Sequence, residues 1–305
     1  MHKRILITGG LGHIGSLLMR RLPDAKEIVV VDDLSTQRYC SLFQRPNNVS
    51  FIKADFAEVT QEVAKADAIV HLAATTDAAG SFDKAKEVWE NNTQKTMELA
   101  YQCENNKPFI FLSTTSVYGR GKEVMVEGED NLDPQSPYAE AKLASEQILR
   151  DADMQGHINH TILRFGTIVG RSPGIRFHTA VNAFCFAVAT GQPLSVWREM
   201  FDQVRPYLTI EDAMQALRLV LRTSSMQGNT YNVVSENTSV RQITDYIGSL
   251  MPNMHIDFVD TPVLNQNSYN VSSDKIQEVG FASNSSIYEE IAETLCLLGV
   301  LTKSS

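Results

Sequence analysis

Tyr138 and Lys142 stand four residues apart, so on a helix their side chains share one face, one turn apart. A phenol near pKa 10 is a poor base at neutral pH and needs a shift of about 3 units to ionise substantially. Two unit charges about 4 Å apart at an effective dielectric near 20 interact by roughly 4 kcal/mol, equivalent to about 3 pKa units. One ammonium is therefore large enough to make Tyr138 a proton acceptor. Upstream, an apolar run ends in Ser113-Thr114-Thr115-Ser116, and a hydroxyl beside a phenolate can hold a substrate oxygen and relay its proton. The spacing is common, however, and a tyrosine packed at a helix start beside a solvated lysine accounts for it until a second site supports the chemistry.

That second site is Thr8-Gly9-Gly10-Leu11-Gly12-His13-Ile14-Gly15. Gly9, Gly12 and Gly15 follow a variant spacing of the phosphate-binding glycine loop. There the chain must turn tightly, approach a pyrophosphate and pack the next helix on the strand, and a Cβ obstructs each task. The helix start faces the phosphates with unpaired N–H groups and a positive dipole end. Asp32 follows about 17 residues after Gly15, where an acidic side chain hydrogen-bonds a ribose 2′-hydroxyl and repels a 2′-phosphate. The reading is NAD rather than NADP, with Arg38 as the one nearby cation able to tolerate a phosphate. An oxidised nicotinamide ring would add to the effect of Lys142 on the phenol.

The elements that must carry these groups are legible as alternation. Short β-branched runs at residues 4–8, 28–31, 49–52, 68–72, 109–113 and 161–164, with 231–234 returning as a seventh, predict strands. Several are apolar almost throughout, as strands covered on both faces must be. Between them, residues 14–22, 84–103 and 137–149 read as helices, the last opened by Ser136 as N-cap with Pro137 in the first turn. The fold expected is an α/β Rossmann-type doubly wound parallel sheet with a smaller α/β substrate-binding lobe. Residues 1–165 form the dinucleotide-binding domain, with 207–234 returning to it, and the rest of 166–305 forms a discontinuous lobe. The chain leaves the sheet at Gly170-Arg171-Ser172-Pro173-Gly174, and a helix from Thr209 to about Arg222 leads it back.

Composition narrows the classes. At 305 residues the chain holds roughly two domains of about 150 residues. A net charge of −9 without a basic patch argues against nucleic acid. No apolar run approaches the ~18 residues of a spanning helix, and the start of the chain lacks a signal-peptide pattern, so the expected location is the cytoplasm. Cys40, Cys103, Cys185 and Cys296 lack metal or disulfide spacing and read as reduced, mostly buried thiols, with no metal site expected.

Taken together, the chain resembles an extended short-chain dehydrogenase/reductase of the nucleotide-sugar epimerase/dehydratase family. The resemblance runs over nearly the whole chain. It is carried by the glycine loop, Val31-Asp32-Asp33-Leu34, His71-Leu72-Ala73-Ala74, Glu90-Asn91-Asn92-Thr93, Ser113 to Gly119, Tyr138-Ala139-Glu140-Ala141-Lys142, Leu163-Arg164-Phe165-Gly166 and Arg205-Pro206-Tyr207-Leu208-Thr209-Ile210-Glu211-Asp212. It implies NAD on the N-terminal domain, a nucleoside-diphosphate sugar on the lobe, and a catalytic set of Thr114, Tyr138 and Lys142, with Thr114 in the usual serine position. The implied cofactor contacts are Gly9, Gly12, His13, Ile14, Gly15, Asp32, Asp33, Leu34, Asp55, Phe56, Leu72, Ala73, Ala74, Asn92, Ser113, Tyr138, Lys142 and Phe165. Asp55 is placed at the adenine edge, and Phe56 and Ala73 chiefly through their backbone. The implied substrate contacts are Thr75, Thr114, Thr167, His178, Trp197 and Arg205, with Trp197 stacking on the base. For His178 a satisfied helix-start histidine is an equal alternative. A homodimer is implied too, through a four-helix interface formed by residues 84–103 and 137–149, with Val88, Leu99 and Leu143 as apolar candidates whose burial inside the monomer is an equal alternative.

The departures point to a reaction. Family dehydratases carry Asp-Glu after the threonine, where this chain has Thr115-Ser116, a pattern nearer the epimerases. Thr167 replaces an Asn that usually meets the nucleotide, and the segment from Thr261 to Asn267 lacks the Arg that commonly clamps the diphosphate. The expected activity is epimerisation of a nucleotide sugar at C4 through a transient 4-keto sugar. A 4-keto-sugar reductase or nucleotide-sugar dehydrogenase uses the same groups, and a non-catalytic NAD(H) sensor is the alternative from another class.

Overall fold

Hydrophobic alternation places each central strand between two apolar layers. The computed structural model describes residues 3–76, 80–119, 124–128, 132–260 and 268–302. In chain order the strands are β1 (Arg4–Thr8), β2 (Glu27–Asp32), β3 (Val49–Lys53), β4 (Ala68–His71), β5 (Lys107–Thr114), β6 (Val124–Met125), β7 (Ile158–Phe165), β8 (Thr167–Val169), β9 (Leu194–Trp197), β10 (Val204–Thr209), β11 (Asn229–Val233), β12 (Glu236–Ser239), β13 (Ile256–Val259) and β14 (Asn270–Val271). The helices are α1 (His13–Leu18), α2 (Thr60–Lys65), α3 (Ala85–Trp89), α4 (Lys95–Tyr101), α5 (Pro137–Met154), α6 (Ala180–Ala189), α7 (Ile210–Arg222), α8 (Val240–Leu250), α9 (Asp274–Glu278) and α10 (Ile287–Leu297).

Seven parallel strands make the main sheet in the order β11-β7-β5-β4-β1-β2-β3. Along β1, Ile5 and Ile7 face one way, into a core completed by Leu18 of α1 and Met214, Leu217 and Leu221 of α7. Leu6 faces the other way and joins Val63 of α2, Leu99 of α4 and Leu149 and Ala152 of α5. Each fully buried aliphatic side chain of this kind contributes roughly 1.5–3 kcal/mol. The doubly wound Rossmann-type sheet expected from the sequence is present. Its order reverses between β1 and β4, which opens a crevice beyond their C-terminal ends.

The lobe is smaller, with a three-stranded sheet β12-β10-β8 packed by α6, α8 and α10 around Val181, Leu194, Ile243 and Ile291. Residues 207–209 belong to β10 of this sheet, so the return to the main sheet starts one element later, at α7. Thr209 caps α7 by accepting from Asp212 N. No described helix is long and apolar enough to cross a membrane.

Two helix expectations need correction. Residues 14–22 do not form one helix, because α1 ends at Leu18 and the chain tightens through Arg20 N to Leu17 O and Arg21 N to Leu18 O. Residues 84–103 are interrupted by a π-helical turn at Glu90–Gln94. Its cause is Asn92, whose side chain leaves the helix register to accept from Thr75 N and donate to Thr75 O, both at 2.8 Å. Of the four thiols, Cys103 and Cys185 are buried, Cys296 is half-buried and Cys40 is exposed. The apolar candidates for a helical interface shift as well: Val88 and Leu99 are fully buried within the protomer and Leu143 packs against the Tyr118 cluster. Trp89, Met97 and Tyr101 are the exposed apolar side chains on α3 and α4.

Candidate active site

The glycine loop closes against β4. Gly9 has φ +63°, donates to Val31 O at 2.8 Å, and lies so near Ala73 that a Cβ would stand 2.6 Å from its N and Cα. A Cβ on Gly15 would meet Gly10 Cα at 2.5 Å. Both glycines are therefore required by space, and the loop presents bare backbone at the crevice. At the end of β2, Asp32 accepts from Leu11 N at 3.1 Å and Leu34 N at 2.9 Å. Burial raises its pKa in spite of these two donors. Asp33 accepts from Ser35 N at 2.9 Å, and Leu34 sits at φ +63°.

This cradle fits NAD. Asp32 offers a carboxylate where a ribose diol would lie, and Arg38, the cation able to receive a 2′-phosphate, is directed elsewhere. Its Nη1 donates to Gly174 O at 2.7 Å and Ile175 O at 2.5 Å. Residues 170–176, the crossover from the main sheet to the lobe, thereby lie across the glycine loop. His13 Nδ1 meets Ser172 Oγ at 2.6 Å, Gly174 N donates to Ser16 Oγ at 2.9 Å, and Cys40 Sγ donates to Pro173 O at 3.2 Å. Burial, and then the charges of Arg38, Arg176 and His178, pull the His13 pKa down to about 3, so the ring is neutral. Ile14 packs half-buried beside it.

Several sequence-derived contacts are committed to the protein itself. Asp55 caps a turn by accepting from Ala57 N and pairs with Lys95 at 2.5 Å, and Phe56 is buried with its ring centroid 4.9 Å from that of His71. Ala73 N donates to Thr8 Oγ1 at 3.3 Å, and Leu72, Ala73 and Ala74 run half-buried from the end of β4. Asn92 is spanned by Thr75, so its part is to fix the backbone of Thr75. Ser113 turns its hydroxyl to Glu146 Oε1 at 2.5 Å.

The catalytic candidates meet at the ends of β5 and α5. Ser136 accepts from Ala139 N and Pro137 occupies the first turn, which sets α5 with Tyr138 at the crevice. Thr114, opposite Phe165 in the β5–β7 register, hydrogen-bonds Tyr138, accepts from Ser116 N at 3.1 Å and donates to Ser116 Oγ at 3.2 Å. Lys142 is buried, donates to Leu112 O at 2.7 Å, and lies 4.5 Å over the Phe111 ring. Burial pushes its pKa down to about 7, with Glu146 acting in the opposite direction. Burial likewise pushes Tyr138 up to about 12, opposed by the Thr114 hydrogen bond and then by the Arg176 charge. The cation acting on the phenol in this arrangement is Arg176, whereas Lys142 points to the Leu112 carbonyl.

Arg176 is the residue that motif reading missed. Its Nη1 donates to Thr76 Oγ1 and its Nε to His178 Nδ1 at 3.2 Å; its charge acts on both His13 and Tyr138, and that of His178 on His13. The signal was a lone cation two residues before the histidine that was chosen. On the lobe side Arg205 lies 5.1 Å over the Tyr269 ring, and Tyr269 donates to Thr115 O at 3.3 Å, which ties Arg205 to the hydroxyl cluster. Thr167 is exposed on β8. Trp197 lies on the β9–β13 pair, opposite Val259. Residues 261–267 lie outside the described residues. Among the described residues no cluster of three or more His, Cys, Asp or Glu side chains could hold a metal.

Comparison with known proteins extends the picture. The trifunctional UDP-glucose 4,6-dehydratase/UDP-4-keto-6-deoxy-D-glucose 3,5-epimerase/UDP-4-keto-L-rhamnose-reductase of Arabidopsis thaliana is 28% identical over 96% of this chain and 46% of its own length. The chain thus spans about half of such plant relatives. A UDP-glucose 4-epimerase of Azospirillum brasilense is 30% identical over 72% of this chain and 68% of that protein. Among solved structures, UDP-glucuronic acid 4-epimerase from Bacillus cereus, in complex with UDP-glucuronic acid and NAD, has a TM-score of 0.89 at 23% identity and covers 97% of this chain and 99% of its own. The family model described as "NAD dependent epimerase/dehydratase family" matches residues 5–233. The glycine loop, Asp32 and the Tyr138–Lys142 helix all lie within that match, and the chain belongs to the NAD-dependent epimerase/dehydratase family, with NAD as its cofactor.

Proposed function

We propose that the protein epimerises a nucleoside-diphosphate sugar at C4, with the seven-stranded domain holding NAD and the lobe holding the substrate. The observation that carries this reading is the surrounding of Thr114. Elimination of water calls for an acid and a base next to that threonine, and here the adjoining side chains are the hydroxyls of Thr115 and Ser116 and the phenol of Tyr138. The epimerases among the relatives support the same choice. NAD, when bound, supplies the acceptor and donor of hydride.

The chain's own residues supply the rest. Tyr138 removes the proton of the sugar hydroxyl at C4 and later returns it, and Thr114 fixes the oxygen beside the phenol. Lys142, anchored on the Leu112 carbonyl, would offer a donor to the nicotinamide ribose, and Arg176 supplies the positive charge that acts on the phenol. His178, Thr75, Thr167, Arg205 and Trp197 are the candidate substrate contacts.

The test is to denature the purified protein, quantify released NAD(H), and follow a panel of nucleotide sugars by NMR. Near-stoichiometric NAD and inversion at C4 are the expected results. Tyr138→Phe is expected to lower turnover by about 10²–10⁴-fold with NAD still bound. A Tyr138→Phe protein that turns over at the parent rate would overturn the mechanism. Net accumulation of reduced or oxidised cofactor would assign the chain to the reductases or dehydrogenases instead.

A further inference from the structure

His71 is the last residue of β4 and is fully buried. The rings of Phe56, Phe109 and Phe111 surround it, with centroids 4.9, 5.8 and 5.8 Å away, and fix the plane of the imidazole. Another aromatic ring would fill such a space with no polar atom to satisfy, so packing alone does not call for a histidine. The use made of its nitrogens does.

Nδ1 lies 2.6 Å from Thr8 Oγ1, and Nε2 lies 2.9 Å from Thr96 Oγ1. Thr96 has a single hydroxyl proton, which goes to Asn92 O at 2.8 Å. Thr96 can therefore only accept from the ring, which puts the imidazole proton on Nε2. Burial, and then the Lys142 charge, hold the ring neutral, so Nδ1 is an acceptor and takes the Thr8 hydroxyl proton. Thr8 Oγ1 in turn accepts from Ala73 N at 3.3 Å. At the far end, Asn92 O also accepts at 2.7 Å from Ser145 Oγ of α5, which shares its proton with Ala141 O. Thr8, Thr96, Asn92 and Ser145 are all buried, so solvent does not replace a lost member of this chain.

The two ends of the chain belong to different parts of the site. Thr8 is opposite His71 in the register of β1 and β4, the strands between which the sheet order reverses, and it leads into Gly9, against which Ala73 is closed. Asn92 lies in the π turn and holds both the N–H and the carbonyl of Thr75, and Ser145 stands one turn beyond Lys142 on α5. We infer that His71 is a positioning residue that ties the NAD crevice to α5. Through Nδ1 it sets Thr8 and the backbone of Ala73 beside the glycine loop, and through Nε2 it sets the π turn that holds Thr75 and meets the helix of Tyr138 and Lys142. The inference stands on NAD as the cofactor and is independent of the reaction proposed above.

Two amides each reproduce one half of the ring. The oxygen of an asparagine sits where Nδ1 does and keeps an acceptor for Thr8 without a donor for Thr96; the nitrogen of a glutamine reaches the place of Nε2 and keeps the donor for Thr96 without the acceptor for Thr8. Two readouts are followed, neither of which needs substrate: NAD affinity by calorimetry, and hydrogen exchange at the Thr75 amide in the NAD-loaded protein. His71→Gln is expected to weaken NAD binding by about fivefold or more, with Thr75 exchange within about twofold of the parent. His71→Asn is expected to speed Thr75 exchange by about fivefold or more, with NAD affinity within about twofold. A general loss of stability moves both readouts together, so the split is the signature of positioning. Both moving together, neither moving, or the opposite split overturns the inference. Should these buried substitutions fail to fold, Thr8→Val and Thr96→Val cut the same two links from outside the ring and are expected to give the same split, NAD affinity for the first and Thr75 exchange for the second; its absence overturns the inference as well. In the parent protein the nitrogen NMR shifts of His71 are expected to report the neutral Nε2–H tautomer, and an Nδ1–H tautomer, which reverses the donors of the chain, also overturns it.

Discussion

Gly174 tests whether the crossover segment clasps the cofactor loop. A Cβ built on it stands 2.5 Å from Leu11 O and 2.7 Å from Gly12 O, contacts with backbone that no rotamer change relieves. Its φ lies outside the left-handed region, so Gly174→Ala adds contact without dihedral strain. Relief requires the crossover to lift by several tenths of an ångström, which weakens Gly174 N to Ser16 Oγ, His13 to Ser172 and Arg38 to Gly174 O together. Overpacking of this kind costs about 1–3 kcal/mol. For a chain of this size that is a fall in melting temperature of roughly 2–6 °C. If the crossover bears the displacement, NAD binding weakens by about 5- to 150-fold, because each 1.4 kcal/mol is tenfold. The assay is thermal unfolding and calorimetric titration with NAD, with Gly128→Ala as control, since nothing lies within 4 Å of its Cβ. A Gly174→Ala protein with the parent's melting temperature and NAD affinity would refute the clasp.

Two further outcomes follow from the lobe and from the helices at the crevice. Glu290 is buried against Gly170, and burial followed by the charges of Glu293 and Glu211 raises its pKa to about 7 from 4.5. The folded chain therefore holds a proton that the unfolded chain has lost, and stability declines as pH rises through that window, by about 3 kcal/mol in all. Glu290→Gln is expected to flatten this slope in urea unfolding at several pH values; an unaltered slope would assign the dependence elsewhere. We also propose that Trp89, Met97 and Tyr101 meet a second copy of the chain. Sedimentation should show a dimer at micromolar concentration, weakened about tenfold or more by Trp89→Lys, and a parent protein that sediments as a monomer excludes it.

The sheet was readable because its strands are buried on both faces and its helices carry caps such as Ser136 and Thr209. The glycine loop and Asp32 were readable because their task is set by backbone approach, which only certain residue types allow. Arg176 and the buried Glu146–Arg164 pair escaped because each depends on partners distant in sequence. Arg176 meets Thr76 and Glu146 meets Arg164, and neither pairing leaves a periodicity or a local motif. The π turn escaped for a related reason: Asn92 leaves the helix register to hold Thr75, and residues 84–103 look like one helix by pattern alone.

That turn also sets the phase of the outer surface. At about 100° per residue, an unbroken α-helix would place Trp89 and Met97 about 80° apart around the axis. The single extra residue accommodated by a π turn takes one step out of the count and brings them to about 20°. Tyr101, one turn beyond Met97, continues the same stripe. The insertion at which Asn92 holds Thr75 is thus also what collects three exposed apolar side chains into one line. Loss of the bulge would disturb the crevice and scatter that line in one stroke, so the inner and outer faces of this segment share a single rotational setting.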